Sequence, residues 1–136
     1  MKNKKHMAEW RKNWLTSIAE LSDIDKQRRV WLDTQQANPH SSFVEYMSSY
    51  LDDLFIVDDF QDFVDKGLIS QKEAECVREF HLLARSYTPP QNDDYDHPAI
   101  LNDPNWVNVV NAAAEAKRRL LGGLDENETK FLTSVA

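Results

Sequence analysis

The sequence predicts an all-α protein, a single-domain bundle of about six or seven helices with short connections and one long loop at residues 88–102. Three observations carry this expectation. Apolar residues recur every three to four positions along several stretches, the spacing that lines one face of a helix. Capping residues stand at the starts of those stretches, and proline or glycine at their ends. Only three glycines and five prolines occur in 136 residues, few for a fold of tight turns and short strands. The 41% apolar fraction is enough for one core spanning residues 1–136, because a chain of this size buries roughly two thirds of its unfolded surface.

Residues 7–21 form the first expected helix. Met7, Trp10, Trp14, Ile18 and Leu21 share a stripe, with Arg11, Lys12 and Glu20 off it, and residues 1–6 are expected to be a disordered tail. Trp10 and Trp14 are read as core anchors, because aromatic side chains bury large areas. A second helix is expected from an Asp25 N-cap to about Gln36, before Asn38-Pro39 stops it. It turns Val30, Trp31 and Leu32 inward and leaves Lys26, Arg28 and Arg29 on a solvated face.

Ser42 and Glu45 have capping-box spacing. The helix they start carries Phe43, Met47, Tyr50 and Leu54 in register, with Tyr46 and Leu51 flanking. At 100° per residue Asp52 points away from that stripe, while Asp53 sits at its edge beside Tyr46 and Tyr50. Residues 58–66 suit a short amphipathic helix, with Phe60, Phe63 and Val64 on one side and Asp58, Asp59, Asp62 and Asp65 on the other; Gly67 is placed to end it.

Ser70 and Glu73 make a second capping box, with Ile69 just outside it. Their helix runs to about Tyr87, with Ala74, Val77, His81 and Ala84 on one line and Cys76, Phe80, Leu83 and Tyr87 on the next. Pro89-Pro90 ends it, and residues 88–102 lack periodicity. Asp103 followed by Pro104 opens another helix, lined by Trp106, Val109, Val110, Ala113 and Leu120 and closed by Gly122-Gly123. Leu124-Asp125 and Glu128 signal a last short helix through about Thr133.

The formal charge of −7 disfavours nucleic-acid binding, which needs a basic surface. It is also unevenly spread. Residues 1–31 hold eight Lys/Arg against four acids, whereas residues 32–66 hold one Lys against eight acids. Six aspartates fall between positions 52 and 65, answered locally by Lys66 alone. Such a field steers a basic protein partner and speeds its approach. No stretch nears the ~20 apolar residues of a membrane span. One cysteine, Cys76, permits no intramolecular disulfide, which fits a reducing, cytoplasmic setting.

Catalytic equipment is sparse. Asp58-Asp59-Phe60-Gln61-Asp62 matches the DDxxD pattern by which isoprenoid synthases hold magnesium and a diphosphate, yet no second acidic motif accompanies it. His6, His40, His81 and His97 lack partners at metal-ligand spacing, and no metal or cofactor is expected. Asp93, Asp94, Asp96 and His97 crowd the long loop without the glycine turn and closing glutamate of an EF-hand. His81, on an apolar line, is expected to be a hydrogen-bonded core histidine. No nucleophile elbow or phosphate loop occurs, and an enzyme is not expected.

The remaining feature is an acidic surface containing aromatic residues. Tyr46, Tyr50, Asp52, Asp53, Asp58, Asp59 and Asp62 are the candidate protein-binding residues, with tyrosine as anchor and aspartate as guide. The same aspartates also suit a solvated face that keeps the protein dispersed.

A likeness adds to this. Trp31-Leu32, Ser42 with Glu45, Tyr50-Leu51-Asp52-Asp53-Leu54, Gly67-Leu68-Ile69-Ser70 and Ile100-Leu101-x-Asp103-Pro104-x-Trp106 form a layout similar to that of small bacterial helical proteins. Some of those resemble immunity proteins of contact-dependent growth inhibition and related toxin systems. The resemblance covers residues 31–120 in short motifs. It implies a non-enzymatic, acidic inhibitor that binds one basic, nuclease-like toxin domain and occludes its active site. The alternative is a small metal- or ligand-binding helical enzyme using the aspartates and loop 88–102. A homodimeric helical adaptor is a third reading.

Overall fold

The computed structural model describes residues 2–33, 42–52 and 60–133, the side chains of 2–6 and 52 excepted. Among these residues the chain is all-α, with eight α-helices and no strand. They are α1 (Lys2–Leu21), α2 (Ile24–Trp31), α3 (Phe43–Met47), α4 (Gln61–Asp65), α5 (Gln71–Ser86), α6 (His97–Leu101), α7 (Pro104–Leu121) and α8 (Glu126–Thr133). No helix among the described residues is long and apolar enough to cross a membrane.

The capping chemistry explains most of these boundaries. Ser70 Oγ accepts the Glu73 N–H at 3.0 Å while Glu73 accepts the Ser70 N–H at 2.8 Å, completing the box that starts α5. Ser42 Oγ accepts the Glu45 N–H at 3.1 Å to start α3. Asp103 accepts the Asn105 N–H at 3.0 Å, with Pro104 at the first helical position of α7. Asp125 likewise caps α8 by accepting the Glu128 N–H at 2.8 Å. Gly67, at φ 79°, ends α4: its N–H reaches Val64 O and the Leu68 N–H reaches Phe63 O, the paired bonds of a Schellman motif.

Three boundaries differ from expectation. The N-cap of α2 is Asp23, which accepts the Lys26 N–H at 3.0 Å, so Asp25 lies in the first turn instead. Helix α1 starts at Lys2, so residues 2–6 continue a helix where a disordered tail was expected. The segment 88–102 is not one loop. It holds a 3₁₀ turn at Pro90–Asn92, where Gln91 and Asn92 both take positive φ, and then α6, capped by Asp96. Residues 34–36 of the expected second helix, with Asn38-Pro39, lie outside the described residues.

The core forms where α1 packs on α7 and α8, and α5 on α7. Trp14, Leu15, Ile18 and Leu21 of α1 meet Val77, Phe80 and Ala84 of α5, and Trp106, Val109, Val110, Ala113, Ala116 and Leu120 of α7. The α7 residues recur at the 3–4 spacing of one face, and the two alanines allow close approach of its neighbours. Each fully buried large side chain here contributes about 1.5–3 kcal/mol relative to exposure. Trp31 packs beside Phe43, Tyr46, His97 and Trp106, giving α2 its seat against α3, α6 and α7. Leu32, expected inside, is 45% exposed because α2 ends one residue before it.

Candidate functional site

The structure divides the candidate binding residues. Tyr46 and Tyr50 are not surface anchors: they are 4% and 0% exposed. The cause is local geometry. Phe43, Tyr46 and Tyr50 follow one another at ordinary 3–4 helical spacing, so they share the face that the core covers, and the chain winds into a π-helical turn at Ser48–Asp52. Tyr46 stacks edge-on against Trp31, with ring centroids 5.2 Å apart, and Tyr50 packs on Phe80 at 5.0 Å. Burial first, then Glu20 and Asp23, pushes the Tyr46 hydroxyl up to about 12, and burial raises Tyr50 well above its ordinary value. Both remain neutral phenols.

Asp62 is the candidate aspartate whose side chain is described, and it stands bare at 82% exposure. Lys66 lies 3.9 Å away, a surface pairing worth roughly 0–1 kcal/mol. Asp65, also exposed, accepts a bond from Gln61 at 2.9 Å. Asp52 ends the π-helical turn, and Asp53, Asp58 and Asp59 lie outside the described residues.

Beside these acids a groove of about 320 Å³ runs between α4 and α5, lined in part by Phe60, Ala74, Arg78, Leu82 and Arg85. At its base His81 is buried, as expected, and its Nδ1 lies 3.0 Å from the Tyr50 hydroxyl. Phe60 meets the same imidazole edge-on at 4.8 Å. The tyrosine expected to face a partner therefore supports the groove from beneath. Leu82, 51% exposed, gives the outer face of α5 an apolar point between Arg78 and Arg85.

Two polar residues matter more than their sequence context suggests. Arg11, placed off the first stripe, uses all five N–H donors. It binds Glu73 through Nη1 and Nη2 at 3.0 and 2.8 Å, Glu128 through Nε and Nη2 at 2.6 and 3.1 Å, and Leu68 O at 2.8 Å. One guanidinium thus ties α1 to α5 and α8. Gln27, fully buried, donates to Glu20 O and Leu21 O at 3.0 and 3.2 Å and accepts the Trp106 indole N–H at 3.0 Å. It covers carbonyls left open at the end of α1 and locks α2 to α7.

The loop acids serve backbone turns. Asp93 accepts the Tyr95 N–H at 3.0 Å and Asp96 the Ala99 N–H at 3.2 Å. His97 turns inward, away from any shared cation: Nδ1 lies 3.2 Å from Trp31 O and Nε2 3.3 Å from Phe43 N. Among the described residues no group of three or more His, Cys, Asp or Glu side chains gathers as a metal site would. Cys76 is half-buried.

Fold and surface together define a small helical bundle with an acidic edge beside a mixed groove. No family model matches the chain, and no curated protein or solved structure matches it.

Proposed function

We propose that this chain is a non-enzymatic inhibitor of the immunity type, which binds a basic, nuclease-like toxin domain through the acidic stretch of sequence at residues 52–65. One observation carries the reading. Asp62 is bare on a helix whose neighbouring sequence concentrates six aspartates against one lysine. Charge of one sign at this density guides a cationic partner and raises its association rate. The anchors of the interface come from elsewhere than Tyr46 and Tyr50, which the core consumes. Leu82, exposed on α5 beside the groove, is the apolar side chain best placed to replace them.

The test begins with the neighbouring gene, which the reading requires to encode a toxin domain, and uses that domain as the partner. Stopped-flow mixing reads the association rate at low and high salt, for the natural protein and for the double variant Asp62→Lys, Asp65→Lys. The reading requires a complex whose association slows as salt rises, and a further slowing of about tenfold in the variant. Absence of a complex, or a rate indifferent to both salt and charge reversal, overturns it. Calorimetry with magnesium, manganese and zinc tests the enzyme alternative, since a stoichiometric metal site would replace this proposal.

A further inference from the structure

His97 stands where two helix ends need a partner. Trp31 is the last residue of α2, so its carbonyl has no acceptor role within that helix. Phe43 is the first residue of α3, so its N–H has no intrahelical acceptor. The imidazole of His97 spans both, with Nδ1 3.2 Å from Trp31 O and Nε2 3.3 Å from Phe43 N. A backbone N–H only donates, so Nε2 must be the acceptor. The ring proton then sits on Nδ1, donating to Trp31 O. Ring packing holds the imidazole in place, since its centroid lies 5.3 Å from that of Trp31.

We propose that His97 is a proton-sensitive clasp, which ties the end of α2 to the start of α3 only while its imidazole is neutral. Protonation of Nε2 would set two N–H groups against each other and break the bond to Phe43. The other charged groups on the surrounding elements are Arg28, Arg29 and Asp33 at the end of α2, Glu45 in α3, Asp93, Asp94 and Asp96 ahead of α6, and Asp103 capping α7. Of these carboxylates, Asp93 accepts from Tyr95 N, Asp96 from Ala99 N, and Asp103 from the Tyr87 hydroxyl and Asn105 N. The clasp fixes the entry to α3, which leads directly to Asp52 and the acidic edge, and it stands whether or not a toxin is the partner.

Nitrogen-15 NMR on the intact protein, from pH 7.5 to pH 5, tests this. Long-range imidazole spectra report where the His97 proton sits, and amide exchange reports the protection of Phe43. The clasp requires Nδ1–H at neutral pH, then ring protonation accompanied by about a fivefold loss of Phe43 protection, the worth of one net hydrogen bond. In His97→Gln, whose amide does not titrate, the protection of Phe43 should not change with pH. A proton on Nε2, a ring neutral throughout, or protonation that leaves Phe43 protected overturns the proposal. So does an unchanged pH response in the variant. If the variant does not fold, the two measurements on the natural protein decide alone.

Discussion

Arg11 Nε donates to Glu128 Oε2 at 2.6 Å across 117 residues of chain, while the other edge of the same guanidinium grips Glu73. The group is only 17% exposed. Removing the cation leaves two carboxylates close together with little water to separate them. Arg11→Met should therefore cost about 3 kcal/mol, read as a lower urea midpoint. Adding Glu73→Gln and Glu128→Gln to that variant should recover part of the loss, because no uncompensated charge then remains.

The same cluster sets an acid limit. Burial acts to raise the Glu73 carboxyl, but the hydrogen bonds from Arg11 and Ser70 outweigh it and hold the group below its ordinary 4.5. A carboxylate depressed in the folded state adds stability that is complete above about pH 4.5 and drains away as pH falls below it. Denaturant midpoints should fall from there downward, and Glu73→Gln should flatten the slope. A variant slope equal to that of the natural protein would show that Glu73 is not responsible.

Gln27→Ala should cost about 3 kcal/mol, because it opens a cavity and strands the Trp106 indole N–H and the Leu21 carbonyl in the core. Thermal unfolding followed by tryptophan fluorescence measures it. A loss below about 1 kcal/mol would mean that water takes over those bonds.

Gly67→Ala tests conformation rather than packing. A Cβ there would meet nothing closer than Met7 Cε at 3.9 Å, so no clash arises. The positive φ of 79° should still cost about 1 kcal/mol in an L-residue. Because the Schellman bonds remain possible, the variant should keep its helical circular dichroism while losing stability.

Local chemistry was legible in the sequence, and long-range pairing was not. Ser70 with Glu73, Asp103 with Pro104, and Gly67 act within a turn of their own helices, so their spacing alone locates them. The stripes through Trp14 and Trp106 followed from the same short-range logic. Arg11 was placed on the surface because its two carboxylates lie 62 and 117 residues away. Gln27 escaped notice because a polar residue is counted as outward until its partners are known. Asp23 and Asp25 are both good caps, and only packing chose between them. For the candidate site, the acidity of Asp62 was readable, and so was the stripe that carries Tyr50 inward with Phe43; Tyr46 and Tyr50 were set on the binding surface for their acidic neighbours, against the spacing that buries them. Residues 53–59 hold the other candidates, Asp53, Asp58 and Asp59, which lie outside the described region.

The docking of α8 on α1 bears on how the molecule is made. The ribosome releases α1 early, yet its arginine lacks one of its two acidic partners until the codons for residues 126–133 have been read and that segment has cleared the exit tunnel. Closure of the bundle thus waits for α8 to be made. A stalled or prematurely terminated message should yield a chain with an incomplete lock, an open invitation to cellular proteases.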